Sequence, residues 1–145
     1  MDFRREAIDK LRCYTAKRES LVRSEREIHR LELEFTRLKS ASSGCAPAHG
    51  GTSRQEDAMI NNISLRTELE SAMKLTREWL DIVDGALASL DDEDRRVLDL
   101  MCIRKARGSL DRLCAELHIE HSTAYRRRDA ALRRFTMALY GVVEI

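Results

Sequence analysis

The chain has 145 residues, of which 43% are hydrophobic, 35% are charged and only 5% are aromatic. This composition, with a single proline, favours helices and argues against a sheet, so we expect an all-α protein. No stretch approaches the roughly 20 apolar residues that span a bilayer, and we expect no contact with a membrane. The four cysteines form no C-x-x-C pair, which favours a reduced, cytoplasmic setting.

The net charge of +1 conceals a separation of charge along the chain. Residues 55–90 and 91–103 carry net charges of −4 and −3, whereas residues 1–42 carry +3. Residues 104–134 have nine basic and four acidic side chains, which gives them a net charge of +5. A basic block beside an acidic one is typical of proteins that bind polyanions.

The first segment, roughly Asp2 to Lys39, contains no glycine or proline and is predicted to form one long helix. A heptad-spaced apolar row occupies its second half: Leu21, Ile28, Leu31, Phe35 and Leu38. A second apolar stripe lies nearer the start: Phe3, Ala7, Leu11 and Tyr14. The rest of the segment is mostly charged, so this helix needs a partner helix to be stable.

Residues 40–53 have the composition of a loop and separate this helix from a second one. We expect the loop to be flexible, because it holds the only proline and three of the six glycines. Ser53 and Glu56 form a capping-box pattern, which predicts that the second helix begins there and runs to about Ser89. The apolar row of that helix is spaced by three and four residues: Leu69, Ala72, Thr76, Trp79, Val83, Ala86 and Leu90.

Residues 1–89 are therefore expected to form a helical hairpin or coiled-coil arm. The loop is long enough for the second helix to pack antiparallel on the first within one chain. The same two helices could also form an interface between two chains, and we expect a homodimer through this arm.

Residues 90–145 are expected to form a helix-turn-helix domain. Asp91 or Asp92 is predicted to cap a short support helix, with acidic residues in its first turn where the helix dipole favours them. A basic connector follows and ends at Gly108. Ser109 is predicted to cap the next helix, which ends near His118. The apolar stripe of that helix consists of Leu110, Leu113, Cys114 and Leu117.

The last predicted helix begins near Ser122, three residues after the previous one ends, and so tight a turn is typical of helix-turn-helix proteins. Placing Ala124, Ala131 and Phe135 toward the core turns Arg126 squarely outward, where an arginine can pair with guanine in the major groove. We predict that eight side chains contact DNA: Arg107, Arg112, Ser122, Thr123, Tyr125, Arg126, Arg127 and Arg133. Arg128 falls on the packed side, where we expect it to snorkel or to pair with the acidic turn at residues 91–94.

The stretch from Leu90 to Phe135, about a third of the chain, resembles region four of bacterial sigma factors. The likeness lies in the opening LDDEDRRVLDL, in the apolar spacing of the first motif helix and in the closing ALRRF. The portion STAYRRRDAALRRF, joined to a long helical segment, is more similar still to small phage late-gene regulators of the ArpU and RinA kind. The sequence departs from that pattern at His118, where the turn usually has glycine, and at Arg128, a position that is usually apolar.

The resemblance implies a sequence-specific DNA-binding regulator of transcription, encoded by a phage or prophage and associated with the bacterial nucleoid. It places Ser122, Thr123, Tyr125, Arg126 and Arg127 at the positions that face double-stranded DNA, and it implies RNA polymerase as a further partner. Two alternatives remain open. One is a small terminase subunit that binds packaging-site DNA, and the other is an interaction protein that binds polymerase while its basic face is incidental.

Enzymatic and metal-dependent functions are disfavoured by the sequence. Cys114, His118 and His121 have the spacing of metal ligands, but a structural zinc site would need a fourth ligand and usually a C-x-x-C knuckle. The sequence has no carboxylate pair, glycine-rich phosphate loop or Ser-His-Asp set in a context that would form a pocket. We therefore expect no metal, no cofactor and no catalytic activity.

Overall fold

The computed structural model describes residues 1–42 and 51–142, with side chains over residues 1–41 and 53–142, and this part of the chain is helical without strands. The all-α class that we expected is confirmed. The helices are α1 (Phe3–Ser42), α2 (Gly51–Ala88), α3 (Asp92–Leu98), α4 (Ser109–Leu117) and α5 (His121–Tyr140), and a π-helical turn (Asp99–Ile103) follows α3 directly.

The predicted loop is shorter than residues 40–53, because the helices on both sides extend into it. α1 continues to Ser42 and α2 already begins at Gly51, while residues 43–50 lie outside the described residues. Ser53 is consequently the third residue of α2, so the prediction that it caps this helix is wrong. A serine inside the first turn has helical dihedral angles, whereas an N-cap residue has extended ones.

The chain divides into two compact units. Unit 1 comprises residues 1–18 and 78–145, and unit 2 comprises residues 19–77. This division differs from the predicted boundary after residue 89, because the start of α1 and the end of α2 pack with the C-terminal helices.

Unit 2 consists of antiparallel segments of α1 and α2. The Asn62 side chain is buried and donates from Nδ2 to the backbone oxygen of Leu31 at 2.8 Å. Its Oδ1 accepts from Arg66 Nε at 2.9 Å, and the Arg66 guanidinium lies over the Phe35 ring at 5.0 Å from the centroid. Polar side chains therefore contribute to this pairing alongside the apolar row that the sequence predicted.

The predicted apolar row of α2 is partly wrong in register. Ala72 is exposed, whereas Met73 and Leu80, which the row omitted, are buried. A straight helix with 3.6 residues per turn drifts by about 20° for each heptad relative to an exact seven-residue repeat. The buried face consequently moves to neighbouring positions along a helix of this length.

Unit 1 has a continuous apolar core. Ala7 and Leu11 of α1 are fully buried in it together with Phe135 of α5. The other fully buried side chains of largest volume are Leu98, Leu113, Leu132, Val83 and Val97. Cys13 is exposed, because two residues after Leu11 the α1 helix has turned by about 200°.

A polar cluster joins α1 to the end of α2 within unit 1. The Tyr14 hydroxyl donates to Asp84 Oδ1, and Arg18 donates from NH2 to Asp84 Oδ2 at 2.8 Å. Burial of the hydroxyl, together with the Asp84 carboxylate, raises the pKa of Tyr14. The first turns of α1 are thereby held as part of the unit that contains α3, α4 and α5.

Candidate nucleic-acid interface

The support helix α3 begins as the sequence predicts. Asp91 has an extended backbone and its side chain accepts from the Asp94 backbone N–H at 2.8 Å, so Asp91 is the N-cap. At the end of the π-helical turn, Arg104 donates to both carboxylate oxygens of Asp99. These hydrogen bonds lower the pKa of Asp99. The connector to α4 is therefore fixed at its first residue.

Ser109 does not cap α4 in the predicted way. Gly108 occupies the N-cap position with φ of 84°, a left-handed conformation that glycine adopts without steric cost. Ser109 is the first helical residue, and its buried hydroxyl accepts from the Ala106 backbone N–H at 3.0 Å. Ser109 therefore stabilises the end of the connector and does not cap α4.

The turn between α4 and α5 depends on a left-handed residue other than glycine. His118 has φ of 54° and ψ of 48°, and the backbone N–H groups of His118 and Ile119 both donate to the carbonyl of Cys114. The bond from Ile119 is the 6→1 bond of a Schellman motif, and the bond from His118 is the 5→1 bond of an αL cap. A left-handed backbone costs a residue with a Cβ about 1–2 kcal/mol.

α5 begins one residue earlier than predicted. His121 is its first residue, and the N-cap Glu120 makes no side-chain capping hydrogen bond. The His121 Nε2 atom lies 2.9 Å from Asp111 Oδ1 on α4. This contact, which was not predicted from the sequence, joins the first turns of the two motif helices.

The inward face of α5 agrees with the helical-wheel prediction. Ala124, Ala131 and Phe135 each have no exposed surface. Most of the eight side chains that were predicted to contact DNA are exposed: Arg107, Arg112, Ser122, Tyr125, Arg126, Arg127 and Arg133. The eighth, Thr123, is half-buried on the flank of α5. Arg107 lies in the connector before α4, and Arg112 follows the Asp111 that contacts α5.

The outward row of α5 runs along one side of the helix. Ser122, Arg126 and Arg133 lie within about 40° of one another around the axis, and Arg133 is about 10 Å beyond Arg126. Asp129 also lies toward this side, but it is half-buried and its Oδ1 is 2.6 Å from Arg4 NH2. Arg4 of α1 therefore partly neutralises the charge of Asp129, the one carboxylate in the row.

The three consecutive arginines of α5 differ in their surroundings. Arg126 is exposed and forms no ion pair with any residue that the structure describes. Arg127 pairs with Glu93 of α3. Arg128 is half-buried, with its guanidinium 5.1 Å from the centroid of the Tyr125 ring and its NH2 3.4 Å from Asp129 Oδ1. Arg126 alone combines exposure with an unneutralised charge.

The expectation that Arg128 pairs with the acidic turn at residues 91–94 is wrong. That turn is instead neutralised by Arg127, which contacts Glu93, and by Arg134, which contacts both oxygens of Asp94 at 2.6 and 2.7 Å. Arg127 and Arg134 both reach this turn because they are seven residues apart and face the same side of α5. These pairs could have been predicted from the sequence, because α5 has two basic residues spaced by seven and the first turn of α3 is acidic.

A second charge cluster joins α3 to α4. Arg96 donates from Nε and NH2 to the two oxygens of Glu116 at 2.8 and 2.7 Å, and Arg112 Nε lies 3.3 Å from Glu116 Oε1. The hydrogen bonds from Arg96, together with the charge of both arginines, lower the pKa of Glu116 from 4.5 to about 2. Because Arg96 occupies both Glu116 oxygens, Arg112 keeps an exposed guanidinium with a weaker partner.

Neither a metal centre nor a membrane span emerges from the described residues. Cys114, His118 and His121 are not brought together as ligands, and nowhere in residues 1–42 and 51–142 do three such side chains converge. None of the helices in these ranges is both long and apolar enough to cross a bilayer.

Comparison of the chain with family models, with curated proteins and with solved structures finds no match.

Proposed function

We propose that the chain is a sequence-specific DNA-binding protein that regulates transcription and uses α5 as its recognition helix. The observation that carries this proposal is the setting of Arg126. It is exposed in the second turn of a helix that follows a one-residue left-handed turn, and it is unpaired among the described residues. Helix-turn-helix proteins place the first turns of their second helix against base edges.

The chemistry of the outward row suits the major groove of B-DNA. That groove is about 12 Å wide and admits an α-helix, and an arginine there can donate two hydrogen bonds to guanine O6 and N7. We assign this contact to Arg126. Ser122, one turn earlier on the same side, has a hydroxyl that can donate to or accept from any base edge.

The surrounding arginines are assigned to phosphates, which position the helix without reading sequence. Arg107 and Arg112 are exposed before and within α4, and Arg133 continues the outward row. Arg127 would exchange Glu93 for a phosphate at small cost, because an ion pair that is exposed contributes about 0–1 kcal/mol. Each such contact releases counterions, so DNA affinity should fall steeply with salt.

The test is a gel-shift titration at fixed salt with a duplex selected from a random library by the wild-type chain. The double variant Arg126→Ala with Arg127→Ala should lose specific binding while its helicity by circular dichroism is unchanged. A matched control replaces Arg26 and Arg37, which are exposed on α1, by alanine and should bind like the wild type. Wild-type affinity in the first double variant would show that α5 is not the recognition helix.

We further propose that two copies of the chain associate through unit 2. On α2, Ile60, Ile63 and Leu65 leave 60%, 47% and 41% of their surfaces exposed within six residues. We propose a second copy of the chain as the partner of this apolar surface, because helix-turn-helix proteins commonly bind DNA as dimers on paired half-sites. Light scattering should give twice the chain mass, and Ile60→Ser with Ile63→Ser should give a monomer. A ring of many copies would favour a terminase subunit instead.

The resemblance to phage late-gene regulators supports a narrower proposal, that the chain activates phage or prophage genes together with RNA polymerase. The motif residues that carry the resemblance are those of α3 to α5. Transcription in vitro from a promoter that contains the selected duplex should rise when the protein is added. Binding to polymerase without binding to the duplex alone would favour the interaction-protein alternative.

A further inference from the structure

Unit 1 contains a cleft on the side of α5 away from Arg126. It is lined by α1, by the end of the π-helical turn and its connector, and by α5, and its volume is about 470 Å³. Small-molecule sites range from about 300 to 1,000 Å³, so the cleft has the size of a ligand site. Arg128 and Arg126 are two residues apart and diverge by about 200° around α5, which separates the cleft from the outward row.

Four cationic side chains line this cleft: Arg4, Arg12, Lys105 and Arg128. Among the described residues, Asp129 is 2.6 Å from Arg4 and 3.4 Å from Arg128, and Asp9 is 3.8 Å from Arg12. Lys105 is exposed and pairs with no carboxylate that the structure describes, so the cleft keeps this positive charge. A positive charge in a concave site attracts anions.

Arg128, which lines the cleft, has an unsatisfied donor. Its Nε atom is buried and has no hydrogen-bond partner among the described residues. Its NH2 contacts Asp129 at 3.4 Å only, at the long end of hydrogen-bond geometry. Buried donors are almost always paired in folded proteins, with protein groups or with water, so this N–H has hydrogen-bonding capacity that the described residues leave unused.

The remaining lining is apolar and chemically unreactive. Ile8, Met101, Ile103 and Leu132 supply hydrocarbon surface, and Cys102 lies among them. Burial raises the pKa of the Cys102 thiol, although the charges of Arg128, Lys105 and Arg12 act in the opposite direction. Burial therefore favours the protonated thiol, which is a weaker nucleophile than the thiolate. The apolar side chains supply surface that a bound molecule can contact.

We propose that this cleft binds a phosphate group. Guanidinium groups bind phosphate oxygens through charge-assisted hydrogen bonds, and Lys105 adds a point charge. The phosphate belongs either to a small organic phosphate, whose organic part contacts the apolar lining, or to the DNA backbone. A ligand here touches α1 and α5 together, so it stabilises the placement of the recognition helix within unit 1.

The first arm of the test does not depend on DNA binding. Calorimetric titration of the full chain with sodium pyrophosphate and with adenosine 5′-monophosphate, in phosphate-free buffer, should show saturable binding of at least one probe. The variant Arg12→Gln with Lys105→Gln should weaken that binding roughly tenfold or more. Both residues are exposed, so the variant should fold normally. Arg5→Gln with Arg26→Gln removes the same charge elsewhere and should leave probe binding unchanged.

The second arm identifies the source of the phosphate by the salt dependence of affinity for the selected duplex. If the cleft holds a DNA phosphate, the Arg12→Gln with Lys105→Gln variant should reduce the slope of log affinity against log salt by roughly one relative to the control. The probes should then also compete with the duplex. If the cleft holds a small organic phosphate, the slope should be unchanged and the probes should bind the DNA complex as well as the free protein.

The proposal is overturned if neither probe saturates and the salt slope is unchanged. It is equally overturned if the Arg12→Gln with Lys105→Gln variant matches the control in both arms. If the α5 double variant loses duplex binding but still binds the probes, the phosphate site in the cleft is retained. If the probes do not bind but the α5 double variant still loses duplex binding, the recognition-helix assignment is retained.

Discussion

The two units of this chain are both helical, yet they are stabilised in different ways. In unit 1 the apolar side chains converge on one core, and Phe135 and Leu113 within it have no exposed surface. In unit 2, Leu31 and Met73 are the only described apolar side chains that are buried, while Leu33, Ile60 and Leu75 are each at least 60% exposed. The difference indicates that unit 1 is stabilised by a closed apolar core, whereas unit 2 buries few apolar side chains.

Ion pairs between helices are concentrated in unit 1, which also has pairs within single helices. Arg134 joins α5 to Asp94 of α3, and Arg96 joins α3 to Glu116 of α4. In unit 2 several pair within one helix turn, as Arg30 does with Glu27 and Glu34. Pairs between helices constrain tertiary structure, whereas pairs at spacings of three and four residues stabilise a helix by only about 0.2–0.5 kcal/mol.

The largest predicted effect contrasts the two units directly. Phe135→Ala should lower the free energy of unfolding by about 3–5 kcal/mol, because it leaves a cavity in a closed core. The matched change Ile60→Ala, at an exposed site of unit 2, should change it by no more than about 0.5 kcal/mol at concentrations where the chain is monomeric. Urea denaturation followed by circular dichroism measures both, and equal losses would contradict the division.

The second largest effect is expected for Arg134→Met, which should lower the free energy of unfolding by about 2 kcal/mol. It leaves the Asp94 carboxylate, whose side chain is 9% exposed, without the arginine whose NH1 contacts both of its oxygens. Arg30→Met in unit 2, where the partners are exposed, serves as the control and should cost much less. If the two variants were equally stable, Asp94 would not depend on Arg134.

His118→Gly should stabilise unit 1 by up to about 1 kcal/mol. Glycine removes the strain of a left-handed backbone but gains freedom in the unfolded chain, and these effects partly cancel. His118→Val should be less stable than His118→Gly, because a β-branched residue is poorly suited to positive φ. Thermal denaturation of the three proteins gives the order, and a destabilised glycine variant would argue against strain at this turn.

The smallest predicted effect concerns acid. The pKa of Glu116 is about 2 in the folded chain and near 4.5 when unfolded, so its ion pair with Arg96 contributes stability above pH 4.5. That contribution is lost as the pH falls from 4.5 toward 2. Glu116→Gln should therefore make stability less dependent on pH in this interval. An NMR titration that gave Glu116 its ordinary pKa would contradict the pairing.

Much of the helical framework was predictable, because helix periodicity and capping are local properties. The spacing of Ala124, Ala131 and Phe135 correctly predicted the inward face of α5, and His118 was correctly identified at the turn. Helix ends were less accurate, as Ser53 and Ser109 show, because more than one nearby residue can begin a helix.

The contacts between helices were not predictable in the same way. The partners of Arg127, Arg128 and Arg134 depend on where α3 packs along α5, and this is a tertiary property. Likewise, Ala7 and Leu11 were assigned to an arm because their stripe is helical, but a periodic stripe does not identify the surface that it packs against. The DNA contacts assigned to the outward residues of α5 stay predictions.

Base-by-base substitution of the selected duplex tests whether Arg126 reads a base. Affinities of the wild type and of Arg126→Ala would be measured by fluorescence anisotropy at one salt concentration for every single base-pair change. We predict that Arg126→Ala loses about 1–3 kcal/mol on the selected duplex and no longer discriminates at one G·C pair, while discrimination at the other positions is retained. An Arg126→Ala variant that still discriminated at every position like the wild type would show that Arg126 does not read a base.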